Sequence, residues 1–139
     1  MFTAVQRIDF VAGHRLMNHQ GGCASVHGHN YTAYLHIAAP ELDDQDMVVD
    51  FYDIKKDFLE WIERNWDHAF ICNAEDKTVL ELLSALPKQK IFTLVGNPTA
   101  ENLANFLLRE VGPTVMRNQK AKLNKVVLYE TFDSYVEVS

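Results

Sequence analysis

The stretch GGCASVHGHNYTAYLHI, residues Gly21–Ile37, holds a cysteine, two histidines one residue apart and then a run that alternates. From His29 onward, Tyr31, Ala33, Leu35 and Ile37 fall on one face, and Asn30, Thr32 and His36 on the other. That period of two predicts a half-buried β-strand. On such a strand His27 and His29 point the same way. Two imidazoles on one strand face raise the question of what holds them, and the answer depends on what else in the chain reaches that face.

Upstream, FTAVQRIDF (Phe2–Phe10) alternates again, with Phe2, Ala4, Ile8 and Phe10 opposed to Arg7 and Asp9. It predicts a second strand, joined to the first by a loop over Gly13–Gly22. If this strand stays extended, His14 keeps the parity of Ile8 and Phe10. Antiparallel neighbours then bring His14, His27 and His29 together. Three neutral imidazoles with one open position form the ligand set of a catalytic zinc site, at ~2.0–2.1 Å from the metal. Iron or another divalent ion accepts the same donors. The alternative is an ordinary pair of partly exposed strand histidines. His19, in the loop, and His36, on the opposite face, are expected not to be ligands.

Downstream, Asp50 caps a helix running to about Asn65, with Phe51, Ile54, Phe58, Trp61 and Ile62 on one stripe. Residues 74–96 are harder to read: DKTVLELLSALP predicts a short helix ending before Pro87, and KIFTLV an extended segment. Asn97 is expected to cap a second main helix, with Pro98 at its first position, that stops near Gly112-Pro113. LNKVVLYETF and DSYVEVS read as two further strands. The order strand, strand, helix, helix, strand, strand predicts one α+β domain over 1–139. A four-stranded antiparallel sheet with two helices on one face satisfies it. Such a sheet has open edges, which pairing with other copies would close.

The chain has 139 residues, 47% hydrophobic and 23% charged, with a formal net charge of -6. That suits one domain with a real core. No Lys/Arg run offers a nucleic-acid surface, and no apolar run approaches the ~20 residues of a membrane span. Arg7 and Asp9 interrupt what would be the apolar part of a leader. Two cysteines do not make a disulfide framework, so a reducing, cytoplasmic setting is expected.

Cys23 lies four residues before His27 in a glycine-flanked loop. Beside a cation and imidazoles, a thiol is favoured as thiolate. It is then a general base, a nucleophile or a fourth metal ligand. Cys72, among apolar neighbours, reads as a small buried hydrophobe. In WDHAF, Asp67 and His68 are adjacent; at a helix-exit turn the carboxylate orients the imidazole, or else the histidine merely complements the helix dipole. Glu130 shares a strand face with Val126 and Leu128 and needs a partner there, unless it reaches solvent at the strand end. A ring with adjacent N–H donors would match it bidentately.

FVAGHRL, CASVHGHNY, MVVDFYDIK, WDHAFICN, NPTAENLA and VVLYET, taken in this order, resemble the 6-pyruvoyltetrahydropterin synthase / 6-carboxytetrahydropterin synthase family almost end to end. The resemblance implies a tunnelling fold whose subunits pair strands into barrels, commonly as a hexamer of two trimers with active sites between subunits. It implies zinc on His14, His27 and His29, and Cys23 as the proton-abstracting base working with Asp67 and His68. It implies that Glu130 anchors a pterin ring, with Thr99 and Glu101 lining the pocket. The implied substrate is 7,8-dihydroneopterin triphosphate. The favoured product is 6-carboxy-5,6,7,8-tetrahydropterin, with acetaldehyde and triphosphate released, as in the queuosine pathway; the alternative is the 6-pyruvoyl product. Arg15, beside His14, is a candidate for the triphosphate. Family variants with glutamate in place of the cysteine have altered activity, and this chain keeps Cys23. The rival readings are a metal-free cysteine hydrolase using Cys23, His68 and Asp67, and a zinc-stabilised binding module with Cys23 as fourth ligand.

Overall fold

The computed structural model describes residues 1–139. Strands β1 (Phe2–His14) and β2 (His27–Ala39) form a long antiparallel pair, with Phe2 opposite Ala39 and His14 opposite His27. The alternation read from the sequence sets this register. Ile8, Phe10 and Ala12 of β1 and Tyr31, Ala33, Leu35 and Ile37 of β2 are all buried on one face. A slip by one residue would turn both sets to solvent.

After β2, Asp50 caps α1 (Phe51–Asn65) by accepting from the Tyr52 N–H at 2.7 Å. Ile54, Phe58 and Ile62 are its buried stripe, while Phe51, expected on that stripe, is exposed. Strand β3 (Ala69–Asn73), helix α2 (Lys77–Ser84) and strand β4 (Ile91–Leu94) follow. Helix α3 (Ala100–Phe106) continues through a widened π turn, Leu107–Val111, into α4 (Gly112–Val115). Strands β5 (Lys122–Tyr129) and β6 (Tyr135–Val138) end the chain. No helix is long and apolar enough to cross a membrane.

The sheet has six strands in the order β4-β3-β1-β2-β5-β6. It is mixed, because β3 runs parallel to both β1 and β4. The expected four antiparallel strands are therefore corrected to six. AFICN has no alternation to reveal it, since every residue of β3 is buried. Ile71 joins the main core, while Phe70 and Cys72 face the other way and pack with Val79 and Leu83 of α2. Hence α2 covers the face of the sheet opposite α1 and α3.

Two helix boundaries also differ from expectation. Thr99, not Asn97, caps α3: its hydroxyl accepts from the Asn102 N–H at 3.1 Å. The helical run also passes Pro113, which sits in the first turn of α4 directly after the π turn.

Between the sheet and α1 lies an aromatic stack. Tyr31 stacks on Phe10 at 5.0 Å between ring centroids, and Phe10 meets Trp66 at 5.6 Å. Trp66 also touches Trp61, Phe92 and Phe106. This stack forms a rigid floor at the end of the sheet where the three histidines sit. Away from α2, the opposite face carries polar pairs instead, including Arg7–Asp9 and Lys125–Glu137. β1 meets β3 only over residues 12–14, so its edge from Phe2 to Phe10 has no strand beside it.

Candidate metal centre

The β1–β2 register places His14 directly opposite His27 and one diagonal step from His29. The ligand nitrogens of the three lie within 4.8 Å of one another. His14 is buried, and its neighbours are half-buried. Carbonyls fix the orientation of two rings. His14 Nδ1 lies 2.7 Å from the Pro98 carbonyl, and His27 Nδ1 lies 2.6 Å from the Ser25 carbonyl. A carbonyl only accepts, so each Nδ1 carries a hydrogen and each Nε2 of a neutral ring presents a lone pair.

Those two Nε2 atoms face each other at 3.1 Å. Two lone pairs at that separation repel unless a cation lies between them. His29 Nε2 is buried and has no hydrogen-bond partner. Three imidazoles at tetrahedral angles on one zinc have nitrogens about 3.3 Å apart. The orphaned nitrogen, the opposed lone pairs and this spacing fit a divalent metal. The surroundings also favour the neutral form of two rings, as ligation requires: burial pulls His14 and His29 below the ordinary histidine value, against the opposing pull of the Pro98 carbonyl on His14 and of Glu130 on both.

Glu130 continues β5 past its pairing with β2. Its Oε1 lies 3.4 Å from His14 Nε2 and 3.6 Å from His29 Nε2. The carboxylate thus lies beside the histidines while its side chain stays partly exposed at the strand end. Tyr31 closes the floor, its hydroxyl 3.4 Å from His14 Nδ1. Burial raises that phenol well above its usual range, so it stays protonated.

Cys23 lies in a single 3₁₀ turn, Gly22–Ala24, between β1 and β2, and is half-buried. Its carbonyl accepts from the Leu16 N–H at 2.8 Å. Its sulfur is not part of the ligand cluster, which consists of the three histidines. Cys72 is buried, as expected, and burial pushes its thiol up to about 11. His19 stays in the exposed loop and accepts from the Gly21 N–H; His36 is on the other sheet face.

Asp67 and His68 are paired, with His68 Nδ1 2.9 Å from Asp67 Oδ2. Together they clamp the edge of β1. The Val11 N–H donates to Asp67 Oδ1, and the His68 N–H donates to the Val11 carbonyl. His68 holds φ 59°, a region that non-glycine residues seldom occupy. Burial alone would raise the Asp67 carboxyl, but the Val11 N–H, His68 and Lys90 together hold it below its ordinary value. The exposed His68 ring lines a cleft with Val11, Gly13, Gly28, His29 and Asn30. By strand parity Val11, Gly13, Gly28 and Asn30 present the face away from His14, and the Asp67–His68 pair makes no hydrogen bond to the three histidines. Thr99 serves as the α3 cap and Glu101 is exposed in the first turn; neither contacts the cluster.

Sequence reasoning missed the Pro98 and Ser25 carbonyls, because a backbone acceptor carries no residue signature. It also missed Lys90, whose ammonium donates to the Glu63 carbonyl at the α1 end and to the Asp67 carbonyl.

The sequence profile of the family described as 6-pyruvoyl tetrahydropterin synthase matches residues 3–139. The chain belongs to the 6-pyruvoyl tetrahydropterin synthase family. Among its relatives, the 6-carboxy-5,6,7,8-tetrahydropterin synthase of Rickettsia bellii is 39% identical over 138 residues, covering 99% of this chain and 100% of the relative. A solved structure of an uncharacterized protein from Wolinella succinogenes superposes with a TM-score of 0.84 at 21% identity, over 99% of this chain and 97% of the other. The 6-pyruvoyl tetrahydropterin synthase of Caenorhabditis elegans superposes with a TM-score of 0.71 at 25% identity, over 99% and 94%. The family's fold therefore accounts for the whole chain, including the stretch 74–96 that the motifs did not reach.

Proposed function

We propose that the protein is a metal-dependent lyase that converts 7,8-dihydroneopterin triphosphate and water to 6-carboxy-5,6,7,8-tetrahydropterin, acetaldehyde and triphosphate, as in the 7-deazaguanine (queuosine) route. The observation that carries the proposal is the convergence of three Nε2 atoms, two with their tautomers locked by carbonyls, beside the Glu130 carboxylate. The 39% identical relatives that carry this synthase name support the choice of reaction.

His14, His27 and His29 would hold zinc. A bound zinc ion supplies Lewis-acid polarisation of hydroxyl groups at the open position. Glu130, beside the cluster, accepts from the adjacent N–H donors of the pterin ring and fixes its orientation. The Cys23 thiolate takes a carbon-bound proton from the hydroxylated side chain. Asp67 orients His68, which returns protons to the substrate. Thr99 and Glu101 help to line the pterin pocket, and triphosphate leaves toward solvent.

Because the histidine cluster and the Asp67–His68 pair face opposite ways, a working site takes Cys23 and the metal from one copy and Asp67–His68 from a neighbour. The unpaired β1 edge from Phe2 to Phe10 offers the strand surface for that assembly. A hexamer of two trimers is the expected form.

The test is product analysis with the triphosphate substrate. Stoichiometric acetaldehyde supports the reaction; accumulation of a 6-pyruvoyl pterin without acetaldehyde rejects it. Mixing Cys23→Ala and His68→Ala proteins, each inactive alone, should restore about a quarter of wild-type activity after random subunit exchange. No recovery would place both groups in one chain's site.

A further inference from the structure

The segment GNPT, Gly96–Thr99, enters the site through Thr99 and the Pro98 carbonyl in the proposal above, yet Asn97 makes contacts that reach both the His14 ligand and the Cys23 turn. Its side-chain amide pairs with the backbone of Met17 at two points. Asn97 Oδ1 accepts from the Met17 N–H at 2.9 Å, and Nδ2 donates to the Met17 carbonyl at 3.0 Å. Asn73 Nδ2 donates to the same Oδ1 at 3.2 Å. The Asn97 carbonyl accepts from Asn102 Nδ2 at 2.8 Å, which ties Asn97 to the first turn of α3.

Both neighbours of Asn97 matter. Gly96 has φ 85°, a conformation open to glycine, and a Cβ there would sit 3.2 Å from Asn102 Nδ2. The Pro98 carbonyl is the group that locks His14 Nδ1. Met17 is three residues from His14, and between them the Leu16 N–H donates to the Cys23 carbonyl. One amide therefore fixes the chain that leaves His14, the carbonyl that orients its ring, and the strut that holds the Cys23 turn.

We infer that Asn97 is a positioning residue that couples the His14 ligand and the Cys23 turn to the start of α3. This rests on the metal reading of the three histidines. Replacing the amide by a carboxylate keeps its size and its acceptor, but sets an oxygen against the Met17 carbonyl. Disturbing a partner that orients a ligand histidine weakens metal binding by roughly 10- to 100-fold. Asn97 acts one contact further out, so about tenfold is expected.

The test is zinc affinity of the full chain by competition with a chromophoric chelator, alongside the visible spectrum of the cobalt-loaded protein. Asn97→Asp should bind zinc about tenfold more weakly and alter the cobalt bands. The metal-loaded variant should also show a changed rate of Cys23 alkylation, with buried Cys72 unreactive. Leu108→Ala, a core change in the π turn, is the control: it should lower thermal stability yet keep wild-type zinc affinity. If Asn97→Asp does not fold, Asn102→Ala, which frees the Asn97 carbonyl, should still weaken zinc binding several-fold. Wild-type affinity and cobalt bands in the folded Asn97 variant, or an equal loss in Leu108→Ala, would overturn the inference. A wild-type chain that takes up no zinc would instead overturn the metal reading, and this inference with it.

Discussion

Adding zinc to metal-free protein should raise its melting temperature, because the cluster is already near ligand spacing. His14 and His27 Nε2 are already 3.1 Å apart, against about 3.3 Å for nitrogens sharing a tetrahedral zinc. Two of the rings have their tautomers set, so little rearrangement opposes binding. At free zinc a hundred times its dissociation constant, mass action stabilises the folded state by about 2.7 kcal/mol. Unfolding entropy of about 2.1 cal/mol/K per residue, over 139 residues, gives about 0.29 kcal/mol/K. The quotient is a rise of about 9 °C. The assay is scanning calorimetry at fixed protein concentration, since assembly would add its own dependence. His29→Ala, half-buried and therefore mild for the fold, should remove most of the rise. An unchanged melting temperature with zinc, or a full rise in His29→Ala, would refute the centre.

Three further expectations follow from named contacts. Cys23→Ala should abolish turnover while keeping the full zinc-induced rise; loss of that rise would make Cys23 a ligand. Glu130→Gln should raise the Michaelis constant for the pterin by tenfold or more, about the worth of a charge-assisted hydrogen bond; unchanged kinetics would remove Glu130 from the site. Arg15 grips the buried Asp76 carboxylate with bonds of 2.6 and 2.7 Å. The Arg15 hydrogen bond, with the Val79 N–H, holds that carboxyl below its ordinary value of 3.8 against its burial. The folded carboxyl is thus the stronger acid, so its stabilisation is full above that value and lost as pH falls through the folded one. Asp76→Asn should cost about 3–5 kcal/mol near neutral pH and flatten the acid limb of the curve, read by urea unfolding. The same pairing engages Arg15 Nε and Nη2 with Asp76.

The β1–β2 pair was legible because its apolar residues alternate, and because His14, His27 and His29 share the parity of that buried face. Strand β3 was not, since AFICN is buried on both sides and reads as an apolar run of no set period, whereas KIFTLV reads as extended and holds β4. Asn97 looked like a helix cap because asparagine before a proline is a local signal. Its actual partner, Met17, is 80 residues away, and no local pattern encodes such a pairing. The pairing of Asp67 with His68 was visible from adjacency. That the pair looks out from the opposite side of the sheet was not, because it depends on how the turn grips Val11.

That opposition has an arithmetic consequence for mixed assemblies. If each reaction centre borrows one half from each of two copies, then doping wild-type chains with copies dead in both halves should not reduce turnover in simple proportion. Activity should fall as the square of the wild-type fraction, whereas zinc content should fall only linearly if the dead copies also lack a histidine ligand.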